Sequence, residues 1–346
     1  MILPHTDATL IVLLAICMLC WGSWPIFLKM AKRYRFELFY FDFGFGLGIT
    51  ALLCAFTVGS LGFDGFNFSD DMLNARKQEW LVGILAAVIF NFGNMMTLAA
   101  SSVTGMAVAF PLAFGAAMIV GAWMNYLAHP GVNSMLMWCG SGLVLLSLIV
   151  GSSAYSHLKI LQHETMARAG KAKSTRRPNS LKGILLALVG GVVLGTLAPL
   201  LQRAQDPEDG VGPYSLLFLF ALGVIASTFV FNLFYMNLPV DGDPLEIVDY
   251  IKTPVKNHLF GALAGAVWGI GAVATFVANT PKGDVRPTGS VSSILTQAAP
   301  IVVALWGWLV WKEFKAGDIR VKSFAALMLV LFAAGLTFFS WAAMGK

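Results

Sequence analysis

Charged side chains are scarce in this chain of 346 residues: they make up 12% of the total, about half the share found in a soluble globular domain. No Asp, Glu, Lys or Arg occurs from Trp80 to Leu158, a run of 79 residues. Apolar residues, by contrast, account for 58% of the chain. A composition so poor in charge excludes a soluble enzyme, a nucleic-acid-binding protein and a disordered chain.

Motifs for metal, cofactor or covalent chemistry are missing too. There is no Walker motif, zinc-ligand cluster, nucleophile elbow or convincing catalytic triad. The glycines of 43–48 resemble a nucleotide-binding fingerprint, but they lie inside an apolar run with no strand before them. The sequence therefore predicts a protein that is not an enzyme and has no metal or cofactor. The four cysteines fall in apolar runs, where we expect them to pack between membrane helices: Cys17, Cys20, Cys54 and Cys139.

Long charge-free runs are abundant, and a membrane-spanning helix needs roughly 20 apolar residues. The runs are continuously apolar, without the short alternating strands of a membrane barrel, so they predict helices. Turns at 100–105 and 129–134 divide the longest run. We predict an all-α integral membrane protein with ten transmembrane helices: 8–28, 38–60, 80–100, 103–127, 135–152, 182–203, 213–236, 258–280, 288–311 and 322–343.

Lysine and arginine are distributed unevenly between the two sides of these ten spans. The loops reached after an odd number of crossings hold 17 of them, and the other side holds 6. Because cytoplasmic loops carry the excess of positive charge, we predict a plasma-membrane protein with both termini outside the cytoplasm. The basic stretch 153–181 is then a cytoplasmic linker between two halves, 1–152 and 182–346.

The two halves repeat each other at a spacing of about 173–184 residues. Span 1 around Trp21 aligns with span 6 around Leu194, and Thr104-Gly105 aligns with Thr288-Gly289. Each half has five spans, an odd number, so the second half is predicted to be inverted relative to the first. Inverted repeats of this kind indicate a secondary transporter. Identical residues join spans 3 and 8: Gly83, Leu85, Ala86, Gly93 and Thr97 match Gly261, Leu263, Ala264, Gly271 and Thr275.

Prolines occur in corresponding spans of the two halves. Pro25 and Pro199 lie in spans 1 and 6, and Pro111 and Pro300 lie in spans 4 and 9. A proline removes a backbone donor and frees a carbonyl, which in lipid requires a neighbouring helix or a polar cavity. The alternative is a simple packing kink, but the matched pattern favours helices that bend around a central site.

Asp42 is the one acidic residue clearly within a span. A buried acid in a membrane usually faces the protein interior or a wet cavity, so Asp42 is a candidate for binding a coupling proton. The alternative is an interfacial acid near the cytoplasmic end, paired with Lys29. Glu37 lies nearer the boundary, and we expect it to form a structural salt bridge.

Polar and aromatic side chains inside the spans predict the substrate site. Asn91, Asn94 and Thr97 follow one another at three-residue spacing, which predicts a shared helix face. Hydrogen bonding between helices is the alternative role for them. Tryptophans could stack on a planar ligand. The predicted lining of a central cavity is Trp21, Trp24, Asn91, Asn94, Thr97, Trp268, Ser293 and Gln297.

The segments Cys20-Trp-Gly-Ser-Trp-Pro25 and Arg35-Phe-Glu-Leu-Phe-Tyr-Phe-Asp42 resemble the plant ureide permeases and their bacterial relatives. That group belongs to the drug/metabolite transporter superfamily and is close to the bacterial glucose/ribose porters. The resemblance extends through Asn91–Asn94, 105–111 and the Pro199 region. It implies ten helices in two inverted repeats and secondary active transport, often proton-coupled. Unlike the plant proteins, stretch 153–181 carries no Walker-like segment.

Two functions remain open from the sequence. The first is a transporter, coupled to protons, that imports a small neutral polar metabolite such as a ureide, nucleobase or sugar by alternating access. Hydrogen-bonding side chains suit such a ligand. The alternative is an exporter of drugs or hydrophobic metabolites from the same superfamily, which the many Phe, Met and Trp residues allow.

Overall fold

The computed structural model describes the chain except residues 33, 129–130, 132, 169–180, 207, 209, 282–293 and 345–346. Within the described part, the regular secondary structure is entirely helical, as predicted. The helices are α1 (Asp7–Ser23), α2 (Ile26–Met30), α3 (Phe36–Phe56), α4 (Phe68–Asn74), α5 (Lys77–Thr104), α6 (Met106–Ala128), α7 (Ser134–Arg168), α8 (Leu181–Gly195), α9 (Leu197–Ala204), α10 (Pro213–Asn237), α11 (Ile247–Ile251), α12 (Val255–Ala278), α13 (Ala299–Leu305), which continues as a π-helical turn (Trp306–Val310), and α14 (Ile319–Met344).

Nine helical segments of the described chain are long and apolar enough to cross a membrane. Each coincides with one of the predicted spans, so the multi-pass helical fold is confirmed. The ninth predicted span corresponds to a shorter apolar segment, Ile294–Val310, and its first predicted residues lie outside the described part. This segment is interrupted at Ala298, just before α13 begins. Pro300 lies in the first turn of α13, where a residue without a backbone N–H is tolerated.

Helix packing follows a paired pattern. The most extensive contacts outside α7–α14 join α3 to α12, α5 to α8, α6 to α8, α3 to α10, α5 to α10 and α1 to α12. Exchanging the two halves converts α3–α12 into α10–α5 and α1–α12 into α8–α5, so the contacts of one half reappear in the other. This pattern is consistent with an inverted repeat, which stays a prediction.

Glycines at corresponding positions of the two halves make corresponding close contacts. A Cβ on Gly93 would lie 2.8 Å from Leu194, and one on Gly271 would lie 2.6 Å from Trp21. Trp21 and Leu194 are the residues that the sequence alignment pairs. Likewise Gly22 packs against Val302 and Gly195 against Val120. Small residues let helix backbones approach closely in membranes, and here they do so at matched places in both halves.

The first part of the predicted linker is helical. Helix α7 continues to Arg168, so residues 153–168 are helical rather than loop, and residues 169–180 lie outside the described part. At 1.5 Å per residue, the 35 residues of α7 extend about 52 Å, well beyond a hydrocarbon core of about 30 Å. Residues after 152 are mostly good helix formers, so the helix does not end where its apolar run does.

Four segments that together hold most of the Lys and Arg residues meet at one end of the bundle, which we call the basic end. Lys29 Nζ lies 3.0 Å from Glu313 Oε1, and His157 Nε2 lies 3.2 Å from Asp318 Oδ2. Lys182 Nζ donates to the carbonyl of Val240. These contacts connect the segments 29–37, 153–182, 237–257 and 312–322, which the sequence assigns to a single side.

Candidate functional site

Two broken helices flank the centre of the molecule. Helix α1 ends at Ser23 and α2 begins at Ile26, with Pro25 between them. In the other half, α8 and α9 are separated at Thr196, three residues before Pro199. Proline cannot donate a hydrogen bond to the carbonyl four residues earlier, which interrupts the helix. Pro111 stays within α6 and does not interrupt it. The break in α1–α2 places Trp21 and Trp24 beside the centre.

A cluster of aromatic rings fills that centre around Trp268. Trp21 stacks on Trp268 with ring centroids 5.7 Å apart and planes inclined by 17°. Phe220 stacks on the same indole at 5.5 Å, and Phe90 lies at 4.5 Å. Phe43 bridges to Trp24 at 5.0 Å. We call Trp21, Trp24, Phe43, Phe90, Phe220 and Trp268 the aromatic centre.

The aromatic centre lies where the two halves meet. By the sequence alignment Phe90 of α5 and Trp268 of α12 occupy corresponding positions, and their rings contact each other. The rings are packed directly against one another, and Trp24 is only 1% exposed. Of the predicted lining, Trp21, Trp24 and Trp268 thus lie together, packed against phenylalanine rings.

One polar pair borders the aromatic centre. Asn94 Nδ2 donates to the hydroxyl of Tyr40 at 2.8 Å, and both side chains are buried. The ring of Tyr40 lies 4.8 Å from that of Phe43, which joins the pair to the centre. Sequence reasoning identified Asn94 but missed Tyr40, which lies 54 positions earlier.

Asn91 and Thr97 do not share the position of Asn94. Asn91 Nδ2 donates to Ser227 and Thr228 of α10, while its Oδ1 has no partner. The hydroxyl of Thr97 donates to Gly93 of its own helix and faces Gly190 of α8. Six residues turn a helix through nearly two turns, which leaves Asn91 and Thr97 about 120° apart. The spacing therefore distributes the three side chains over three neighbouring helices.

A further buried amide escaped the sequence reasoning. Asn232 of α10 is 0% exposed, and neither its Nδ2 nor its Oδ1 has a hydrogen-bond partner in the structure. It lies one turn after Thr228, which contacts Asn91. A buried amide without partners costs free energy, so Asn232 destabilises the packing of α10 in this conformation.

The remaining predicted lining residues lie at the start of the ninth span. Gln297 is half-buried in the short helical turn before Pro300. Ser293 lies outside the described residues. Pro300 is buried at the start of α13.

Asp42 is the centre of a second polar cluster, near the basic end. Its side chain is 6% exposed and accepts hydrogen bonds at 2.6 Å from both Tyr34 and Tyr250. His258 Nδ1 lies 3.0 Å from each carboxylate oxygen. Asp42 pairs with this imidazole and not with Lys29, whose partner is Glu313. We call Asp42, Tyr34, Tyr250 and His258 the Asp42 cluster.

Glycine makes this cluster possible. A Cβ on Gly261 of α12 would lie 2.4 Å from Cβ of Asp42, so only glycine allows α3 and α12 to approach so closely. His258 lies three residues before Gly261, on the same face of α12, and is brought onto the carboxylate by that approach. Gly261 is one of the residues that the repeat reproduces, as Gly83.

The raised pKa values of two tyrosines identify the hydrogen-bond donors of the Asp42 cluster. Burial, reinforced by the hydrogen bond to Asp42, raises the pKa of Tyr34 well above its usual value. The pKa of Tyr250 is raised for the same two reasons. Both phenols therefore remain protonated at neutral pH and donate to the carboxylate. With an ionised Asp42, His258 donates from Nδ1 as the third partner.

Glu37 forms the salt bridge that the sequence predicts. It is fully buried at the start of α3 and pairs with Arg35 at 2.5 Å. Arg35 also donates to the carbonyl of Asp243. In the described part of the chain, no three His, Cys, Asp or Glu side chains come together in an arrangement that could hold a metal ion.

The chain is similar to several known transporters, although no family model matches it. It is 20% identical to ureide permease 4 of Arabidopsis thaliana, over 94% of both chains, and 19% identical to ureide permease 2 of the same plant, over 96% of both. The probable glucose uptake protein GlcU of Staphylococcus aureus is 25% identical over 73% of this chain and 76% of its own.

A solved crystal structure of another protein shares the fold. Its TM-score is 0.52 at 17% identity, and the match covers 95% of this chain and 96% of the other. Together with the apolar helices, these similarities support a membrane transporter of small metabolites that is similar to the ureide permeases and to the bacterial glucose uptake proteins.

Proposed function

We propose that this protein is a proton-coupled secondary transporter that imports a small neutral polar metabolite across the plasma membrane by alternating access. The observation that carries the proposal is the aromatic centre with its Tyr40–Asn94 pair at the meeting point of the two halves. Stacked rings suit a flat or ring-shaped ligand, and a hydroxyl and an amide can exchange hydrogen bonds with it.

Charge supports a neutral ligand. None of the six aromatic side chains carries a charge, and Tyr40 and Asn94 are neutral as well. A charged ligand in so apolar a place would need an opposite charge to offset its desolvation. Ureides, nucleobases and sugars all fit this chemistry. The relatives are named permeases and uptake proteins, which favours import over the exporter alternative.

Alternating access is supported by the matched packing of the two halves, in which equivalent helix pairs can exchange their roles at the two ends. Proton coupling is supported by Asp42, a buried carboxylate one residue from Phe43 of the aromatic centre. We place the basic end in the cytoplasm, from its excess of Lys and Arg.

Uptake into proteoliposomes tests the proposal. Allantoin, uracil and glucose are each offered with and without an inward proton gradient. We expect one of them to accumulate only with the gradient. Asn94→Ala should weaken its binding by about 1–3 kcal/mol, roughly 5- to 150-fold, because a desolvated ligand group loses its partner.

The control is Asn237→Ala, which removes an exposed amide at the end of α10 and should leave uptake unchanged. Asp42→Asn should abolish gradient-driven accumulation and spare substrate exchange. Unchanged gradient-driven uptake in Asp42→Asn would contradict proton coupling at this residue. Unchanged affinity in Asn94→Ala would contradict the substrate site.

A further inference from the structure

We propose that the Asp42 cluster is a proton-operated lock that fastens the short helix α11 over the basic end and releases it when Asp42 is protonated. The role of the lock in transport rests on the proposed function. In that role, binding of the coupling proton opens one end of the molecule. The lock also assigns His258 and Tyr250, which lie 216 and 208 positions from Asp42, to the proton site.

The cluster joins four separate segments of the chain. Tyr34 lies between α2 and α3, Asp42 in α3, Tyr250 in α11 and His258 in α12. Each of the last two reaches the same carboxylate, at 2.6 Å and 3.0 Å. One carboxylate thereby fixes the positions of all four segments.

Helix α11 depends on this attachment. It has five residues, none of them buried, and isolated helices of that length are not stable in water. Ile251 at its end is 73% exposed. Its inward contacts are made by Tyr250, whose ring lies 5.5 Å from Phe41 and 4.6 Å from His258. Loss of the Tyr250 hydrogen bond would remove a polar contact between α11 and α3 and leave the contacts of the Tyr250 ring.

Protonation weakens the lock by simple hydrogen-bond chemistry. The ionised carboxylate accepts from two phenols and an imidazole, all three bonds strengthened by its charge. When a proton binds, the charge is lost and one oxygen becomes a donor, so the three donors compete for fewer and weaker acceptor positions. The proton comes from water through His258, whose side chain is 25% exposed while that of Asp42 is 6% exposed.

At the equivalent crossing in the other half, the described residues form no such cluster. There Gly83 faces Leu216 and Leu219 where Gly261 faces Asp42. The position that corresponds to His258 is Trp80. With a titratable cluster at the α3–α12 crossing and an apolar contact at the α5–α10 crossing, opening of the basic end would depend on protonation of Asp42.

The other charged groups on the surrounding elements are paired or exposed to solvent. On the α3 side, Glu37 is held by Arg35. On α11, Asp249 accepts from the backbone of Glu246 and caps the helix. On α12, Lys256 lies over the ring of Phe260. On the α2 side, Lys29 is paired with Glu313, and Lys252 at the end of α11 is exposed.

Thiol labelling in nanodiscs tests the lock. Phe41→Cys is introduced into a chain whose four native cysteines are replaced by serine, because Phe41 is 6% exposed beneath Tyr250. We expect slow modification by a charged methanethiosulfonate. Tyr250→Phe or Asp42→Asn should accelerate it at least tenfold. Lowering the pH should accelerate it with Asp42 present and have no effect in Asp42→Asn, with rates normalised to an exposed cysteine at position 252.

Tyr235→Phe is the matched control, since it removes the hydroxyl of another buried tyrosine, one whose ring contacts Phe36, and should leave labelling slow. Hydrogen exchange of residues 247–251 gives the same readout without the introduced cysteine. Equal rates in all variants would overturn the lock, even if proton-driven uptake persists. Conversely, accelerated labelling without any proton-driven uptake would retain the lock and refute the proposed function.

Discussion

At the scale of single residues, the molecule depends on a few polar side chains inside an apolar body. The Tyr40–Asn94 pair and the Asp42 cluster are both satisfied by short hydrogen bonds. Asn232 differs from them, because neither of its amide atoms has a partner although it is fully buried. An unpaired buried amide lowers the free energy of unfolding of the conformation in which it is unpaired.

Replacement of this amide should therefore stabilise the conformation described here. We expect Asn232→Leu to raise the free energy of unfolding by about 1–3 kcal/mol, the usual penalty of an unpaired buried polar group. The thermal unfolding temperature in detergent measures it. Asn237→Leu, at an exposed position on the same helix, should have little effect. A lower unfolding temperature for Asn232→Leu would show that the amide has a partner after all.

At the scale of helices, glycine sets the distances that build the site. A Cβ on Gly265 would lie 1.9 Å from the carbonyl oxygen of Phe43, and one on Gly46 would lie 2.0 Å from that of Ala262. Helices α3 and α12 are thus in backbone contact, which holds Trp268 against Phe43 and His258 against Asp42. By contrast Gly142 of α7 has open space around it.

This difference gives a matched pair of variants. Gly265→Ala should force α3 and α12 apart and lower the free energy of unfolding by about 1–3 kcal/mol, the range for overpacking. Gly142→Ala should be neutral or stabilise by up to about 1 kcal/mol, from the better helix propensity of alanine. Thermal unfolding of both in the same detergent checks this. Equal tolerance of the two would contradict the close α3–α12 contact.

At the scale of the whole molecule, the two halves differ more in chemistry than in packing. Equivalent helix pairs contact one another in both halves, yet Gly261 faces the acidic side chain of Asp42 where Gly83 faces Leu216 and Leu219. Matched scaffolds with unequal side chains suit a carrier whose two ends must respond to different conditions.

The orientation of the scaffold is directly measurable. In the cysteine-free chain, an impermeant thiol reagent added outside cells should modify a cysteine at position 2 or 346 and not one at 172, because the side with 17 Lys and Arg faces the cytoplasm. Position 172 should react only after permeabilisation. The opposite labelling pattern would invert the topology and place the Asp42 cluster outside.

Hydrophobic runs act locally along the chain, so the sequence alone determined the helical membrane class and nine of the ten span positions. The match of Gly83 and Gly93 with Gly261 and Gly271 is likewise visible in the sequence, and the structure places all four glycines at close helix contacts. Asp42 stood out because an acid in such a run needs a partner.

Only the tertiary structure decided which partners those side chains have. His258 and Tyr250 reach Asp42 across more than 200 positions, through a helix approach that depends on Gly261. Asn91, Asn94 and Thr97 look alike in sequence, yet each faces a different helix, because three-residue spacing drifts around a helix of 3.6 residues per turn. Packing between helices far apart in the sequence, which no local pattern encodes, places Asn94 beside the aromatic centre. The same packing places Asn91 and Thr97 in contacts between helices.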